Sequence, residues 1–270
     1  MPTIILRMQV FRGFHHPGIA PACALTIGNF DGVHRGHQAM LALLRSEAAH
    51  RGLPSCVMTF EPHPRDYFAA VAKKPELAPA RIAPLRDKLG ELERCGVDQV
   101  VVLRFDQRFA AQSPQAFIDD VLVKGLGTKY VLVGDDFRFG AKRAGDYTML
   151  DAAGAAAGFD VARMNSYEVR GIRVSSSAVR EALAAGAMTG AAALLGRPYA
   201  ISGHVVHGRK RCSVHRRRAA TTAFARSTCA SSTGSRPRAA SSSCRCTGSP
   251  AGRCRGWRIS ACGPRSTRPT

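Results

Sequence analysis

Between residues 24 and 197 this chain alternates short apolar runs with stretches of helical period, and glycine or proline marks most of the changes. That alternation constrains the fold more than any other feature. Strands are expected at 24–27, 56–60, 99–103, 130–133 and 159–164. Helices are expected at 36–51, 85–95, 113–123, 146–157, 176–185 and 189–195. In the first helix Met40, Leu41, Leu43 and Leu44 supply the apolar face and Gly52 stops it. Ser113-Pro114 reads as an N-cap followed by proline at the first helical position, and Gly158 ends the helix that starts at Asp146. Strand–helix alternation implies an α/β fold, a parallel sheet with helices on both faces, which binds ligands at the carboxyl ends of its strands. The least ordinary segments follow the first, second and fourth strands, so they should gather along one edge.

After Leu195 the pattern changes. Residues 199–207 alternate apolar and polar, like an exposed strand opening a new β domain. From Arg211 onward all periodicity is lost. The last sixty residues hold thirteen arginines, eleven serines, no acidic residue, no leucine and no methionine. Such a segment cannot bury enough apolar surface to offset its ordering entropy, and a disordered basic tail is expected. The tail accounts for thirteen of the twenty net positive charges, so the body is only mildly basic. That suits an enzyme handling polyphosphates. A nucleic-acid binder acting through the tail is the rival reading, but the tail lacks the lysine runs and interleaved aromatics such a role calls for.

Cys23, Cys56 and Cys95 are scattered through the body as in reduced cytosolic proteins. Cys244 and Cys246 lack the spacing of a zinc knuckle. No run of apolar residues is long enough to span a membrane. The opening MPTIILRMQVFRG has no charged start, long apolar core or cleavage site, so no signal peptide is read and a cytoplasmic protein is expected.

Two motifs carry chemistry. The first is GNFDGVHRGH at 28–37, a glycine-rich turn after a strand that brings backbone N–H groups and a helix N-terminus to one place. One histidine at a helix start would read as a cap. His34 and His37 together, behind such a turn, read as donors to phosphate oxygens that gain charge during in-line attack. The second is Ser175-Ser176-Ser177 with Arg180 one turn on. The serines could simply cap a helix. With the arginine they form a set of hydroxyl, N–H and guanidinium donors suited to a polyphosphate.

In this order the two motifs resemble the nucleotidylyltransferase superfamily, and TFEPHPRDYF, VLVGDDFRFG, RVSSSAVREAL and LLGRPYAISGHVVHGRK narrow the resemblance. Over nearly all of residues 20–210 the chain is similar to the bacterial bifunctional riboflavin kinase/FMN adenylyltransferases, the FAD synthetases. The resemblance implies a Rossmann-like nucleotidylyltransferase domain over 1–197 that transfers AMP from ATP, with Mg²⁺, to FMN, giving FAD and pyrophosphate. It implies that His34 and His37 stabilise the adenylyl group in transfer. Gly28, Asn29, Asp31 and Gly36 would lie along the phosphates, with Asn29 and Asp31 orienting Mg²⁺. Ser175, Ser176, Ser177 (where the family more often has threonine) and Arg180 would hold the β and γ phosphates. Gly134, Asp136 and Phe137 would line the adenosine side. Pro62, His63, Pro64, Phe68 and Phe139 would form the flavin wall, and Arg65 would either meet the FMN phosphate or form a surface ion pair. Phe117 is expected in the core. A sister enzyme adenylylating nicotinamide mononucleotide or phosphopantetheine fits the histidine motif alone, but the PHP turn and HGRK favour flavin.

The resemblance also implies a riboflavin kinase barrel opened by HGRK at 207–210. Its expected Gly-Phe-Pro-Thr-x-Asn signature is absent from residues 211–270. Residues 198–210 then read as a remnant of that barrel and 211–270 as an out-of-frame translation of a GC-rich gene. The nucleotide sequence decides this: a Gly-Phe-Pro-Thr-like segment should appear in another frame after codon 210. The chain as it stands should make no FMN from riboflavin and ATP, and accumulation of FMN in that assay would refute the expectation.

Overall fold

The computed structural model describes residues 8–169 and 171–203. The chain divides into two compact units, Met1–Tyr199 and Ala200–Thr270. The second lies almost wholly outside the described residues, as do the 211–270 tail and most of the 198–210 segment. Residues 199–203 form no strand where one was expected; a lone strand needs a neighbour to pair with.

The first unit runs β1 (Gln9–Arg12), β2 (Cys23–Ile27), α1 (Arg35–His50), β3 (Ser55–Glu61), α2 (Pro64–Val71), α3 (Leu85–Arg94), β4 (Gln99–Arg104), α4 (Gln107–Ala110) and α5 (Pro114–Ala116). The helix of α5 continues with wider π-type winding through Phe117–Gly125. Then come β5 (Thr128–Gly134), α6 (Tyr147–Ala157), β6 (Asp160–Met164), the hairpin β7 (Glu168–Val169) and β8 (Ile172–Arg173), α7 (Ser176–Ala184) and α8 (Met188–Leu195). Six strands form one sheet in the order β1-β4-β3-β2-β5-β6, parallel throughout. The five expected strands are all present. β1 is an addition at the edge, and α2 is a helix where only a proline break was foreseen.

Strand β2 shows how the sheet is held. Its odd residues Cys23, Leu25 and Ile27 pack under Ile118, Val121 and Leu122 of the π-wound segment and Leu150 of α6. Its even residue Ala24 packs with Leu44 and Ala48 of α1. Period-two alternation with both faces covered is what a parallel sheet requires. Leu41 and Leu44 are fully buried, each worth about 1.5–3 kcal/mol of burial. Leu43, expected on the same face, is 41% exposed, because in a helix it lies off the i, i+3, i+4 stripe that Leu41, Leu44 and Ala48 define. Phe117 is buried, as expected.

The strand order fixes where a ligand can sit. From β2 the chain moves outward to β3 and β4, then returns to the other side of β2 to lay down β5 and β6. The crossovers therefore diverge between β2 and β5, and a crevice opens at the carboxyl ends of these two strands. The turns that begin at Gly28 and Gly134 both lie at that crevice.

Candidate active site

The turn after β2 is unusual in its backbone. Phe30 (φ 48°), Gly32 (φ 78°) and Val33 (φ 39°) are all left-handed, a costly conformation for a β-branched valine. A Cβ on Gly32 would come within 2.8 Å of the Ile82 side chain, so glycine is needed there. The turn is held from several sides. Phe30 and Val33 are buried. Gln38 Nε2 donates to the Val33 carbonyl at 2.9 Å, and the Arg197 guanidinium donates to the carbonyls of Gly32 (2.7 Å) and Val33 (3.1 Å). From below, the buried Lys88 ammonium donates to the Asn29 carbonyl (3.0 Å) and the Thr59 hydroxyl (3.2 Å).

His34 caps α1. Its Nδ1 accepts the His37 backbone N–H at 3.3 Å, and the two imidazoles stack with centroids 3.7 Å apart. Burial lowers the His34 pKa to about 4. Burial, with the neighbouring His34 and Lys88, holds His37 well below the ordinary imidazole value. Both rings are therefore neutral at pH 7. Since Nδ1 of His34 accepts, its proton sits on Nε2, which is left as a donor. Nδ1 of His37 and Oδ1 of Asn29 are buried without a partner, an arrangement that suits groups waiting for a ligand.

Asp31 is bonded within the protein. Its buried carboxylate accepts from the backbone N–H groups of Ile82 (3.1 Å) and Ala83 (3.2 Å) and from Arg180 Nη2 (2.6 Å). With both oxygens engaged, it ties the site together instead of offering a free metal ligand. Arg180 also donates from Nε to the Ala80 carbonyl at 2.7 Å, which leaves Nη1 uncommitted. Ser175 Oγ accepts from Ala178 N–H as the N-cap of α7 (3.1 Å), the role foreseen as the simpler alternative. Ser176 Oγ donates to the Asp31 carbonyl (3.1 Å), locking the start of α7 onto the turn. Ser177 is exposed.

On the far side of β5, Asp135 and Asp136 are both exposed; Asp135 accepts from Ser166 and from Arg173 (3.1 Å), whose guanidinium also lies 3.9 Å from Asp136, and these contacts anchor the β7–β8 hairpin. The 62–64 turn opens α2: His63 Nδ1 accepts the Arg65 N–H at 3.1 Å and Pro64 occupies the first turn. Burial, reinforced by the nearby Arg81 cation, lowers the His63 pKa to about 4. Arg65 is exposed, and among the described residues it has no acidic partner.

Phe137 and Phe139, expected at the adenosine and flavin sides, both line the cleft. Their rings stack on each other at 5.5 Å. A continuous aromatic wall runs from Phe68 through Phe105, Phe109 and Phe117 to Phe139. Of its members, Phe105 and Phe109 were not foreseen.

All of this surrounds one cleft of about 660 Å³. Every candidate residue of the sequence analysis lines it except Pro62. Lys88, Arg81, Gln38 and Arg197 support the cleft and were missed. No local signal identifies Lys88, Arg81 and Arg197, which act through partners distant in sequence, whereas Gln38 bonds Val33 five residues before it.

The family model described as FAD synthetase matches residues 17–178. The bifunctional riboflavin kinase/FMN adenylyltransferase of Escherichia coli (strain K12) is 52% identical over 203 residues, covering 74% of this chain and 63% of the relative. The protein of the same description from Pseudomonas fluorescens is 49% identical over 209 residues, covering 75% and 64%. The chain thus spans less than two thirds of the length of these relatives. Among solved structures, that of macrolide-efflux protein from Streptococcus pneumoniae superposes with a TM-score of 0.62 at 26% identity, over 75% of this chain and 66% of that one. Among the described residues, no helix is long and apolar enough to cross a membrane.

Proposed function

Because this chain belongs to the FAD synthetase family, we propose that its cleft transfers the adenylyl group of ATP to the phosphate of FMN, releasing pyrophosphate. The observation that carries this reading is the stacked, neutral His34–His37 pair at the start of α1, opposite the start of α7 at the crevice between β2 and β5.

An oxygen of the FMN phosphate attacks the α-phosphorus of ATP. One O–P bond forms, the bond to the β-phosphate oxygen breaks, and pyrophosphate carries away the electron pair. A phosphate monoester is already a competent nucleophile, so no general base is required. The chain's part is to fix donors around the charge that develops. Nε2 of His34 donates to the transferring group, with His37 beside it. The first turn of α7 and Nη1 of Arg180 hold the β and γ phosphates. Gly28 and Gly36 let the backbone approach closely; a Cβ at Gly36 would lie within 3.3 Å of the His34 ring. Gly134, Asp136 and Phe137 border adenosine, and His63, Pro64, Phe68 and the aromatic wall face the flavin ring.

Among the described residues, no cluster of three or more acidic, histidine or cysteine ligands could cage a metal. This suits Mg²⁺ arriving on ATP with most of its water shell. Asn29 Oδ1, buried and unpartnered, is the residue fitted to meet it, while Asp31 is not. The ion would neutralise phosphate charge when bound. A cytoplasmic location suits the free thiols of Cys23, Cys56 and Cys95 and the supply of both substrates.

The test is incubation of the chain with ATP, Mg²⁺ and FMN, following FAD by chromatography and pyrophosphate by a coupled assay. Parallel reactions contain nicotinamide mononucleotide or phosphopantetheine in place of FMN. FAD and pyrophosphate in equal amounts are expected. Adenylylation of another phosphate with none of FMN would overturn the assignment.

A further inference from the structure

Residues 79–84 have no regular secondary structure, yet they are tied to the rest of the site at several points. The Ala80 carbonyl accepts from Arg180. The N–H groups of Ile82 and Ala83 donate to Asp31. The Ile82 side chain fills the space beside Gly32. In the midst of these contacts with the phosphate turn and α7, the side chain of Arg81 points to a different partner. Its Nε donates to Asp66 (2.8 Å) and its Nη2 to Glu61 (3.0 Å). Glu61 ends β3, immediately before the 62–64 turn, and Asp66 lies in the first turn of α2, immediately after it. Arg81 therefore grips the flavin-side turn on both flanks, while its own backbone is fastened to the phosphate side.

We propose that Arg81 is a positioning residue that fixes the 62–64 turn relative to the phosphate turn, so that the acceptor phosphate meets the α-phosphorus in line. This rests on the adenylyl-transfer reading above. Arg81 does not line the cleft. A single surface ion pair would contribute little. Here one guanidinium joins two carboxylates whose remaining oxygens, Glu61 Oε2 and Asp66 Oδ1, are buried without partners. Removing the cation leaves two half-buried like charges flanking the turn, and the turn must open to hydrate them. In-line transfer is sensitive to such a shift: a misplacement of about 1 Å costs on the order of 100-fold.

Arg81→Met, which keeps the aliphatic stem, should raise the FMN dissociation constant, read by quenching of flavin fluorescence, about tenfold or more and lower kcat similarly. Binding of a non-hydrolysable ATP analogue should stay within about twofold. Arg81→Lys, able to reach one carboxylate at a time, should fall between the two. Glu61→Gln, which folds with less disturbance, should shift the same FMN parameters by a smaller amount. FMN binding and kcat unchanged in Arg81→Met, or FMN and ATP affinities falling together, would overturn the proposal. An unaltered chain that binds both ligands but forms no FAD would overturn the reaction and leave the two dissociation constants to decide Arg81. A chain that binds no FMN would overturn both.

Discussion

His37→Ala is expected to lower kcat for FAD formation by about 10²–10³-fold while leaving the KM for FMN nearly unchanged. His37 stands in the first turn of α1 with its ring stacked on His34, and its Nδ1 is buried with no protein partner. A group held this way gains an interaction when charge develops on the phosphoryl oxygens, and its loss therefore appears in kcat. His34 needs a different substitution because it does two things. Its Nδ1 caps α1, and loss of a cap costs about 1 kcal/mol. His34→Asn restores a good capping oxygen but moves the donor away from the position of Nε2. It should keep the thermal midpoint and still lose kcat by a similar factor. Steady-state rates at saturating ATP and FMN, alongside thermal unfolding of each variant, check both. A kcat within tenfold of the unaltered chain for both variants would remove the histidines from the chemistry.

Much of this site was legible in the sequence because it is local. The turn at 28–37 and the start of α7 carry their chemistry within ten residues of a strand end or a helix cap. Apolar runs bounded by glycine gave β2 and β5, and hence the crevice. What escaped is what depends on distant partners. β1 buries only Phe11 of its four residues and exists because β4 offers it an edge. The start of α2 is capped by His63, outside the usual Ser, Thr, Asp and Asn set. Lys88 sits in a charge-rich helix, yet it is the one lysine buried among the described residues, and it lies beneath Asn29. Asp31 was expected to orient Mg²⁺, and its carboxylate accepts from Arg180 and from a loop distant in sequence. That loop contributes the N–H groups of Ile82 and Ala83, which no pattern connects to a turn fifty residues earlier.

The neutral histidines also make stability depend on pH, with a definite sign. His34 and His63 have folded pKa values of about 4, and His37 lies well below 6.5. In the unfolded chain each titrates near 6.5. Between pH 6.5 and 4 the unfolded chain therefore binds protons that the folded chain refuses, and stability falls as the pH is lowered through this window. Each such group contributes at most about 1.4 kcal/mol per pH unit, so the three together can remove a large part of a typical margin of about 5–15 kcal/mol. Above pH 6.5 this contribution is complete and stability should be flat with respect to these groups. Urea unfolding at pH 7.5, 6.5, 5.5 and 5.0 measures the slope. His63→Asn keeps an oxygen to cap α2 and cannot take up a proton, so it should reduce the proton uptake on unfolding near pH 5 by about one. If the slope is the same with and without His63, the folded imidazole is already protonated there. The same result for His34→Asn would make the phosphate donors imidazolium cations, and the rate of adenylyl transfer would then follow their titration near pH 6.5 instead of remaining level across it.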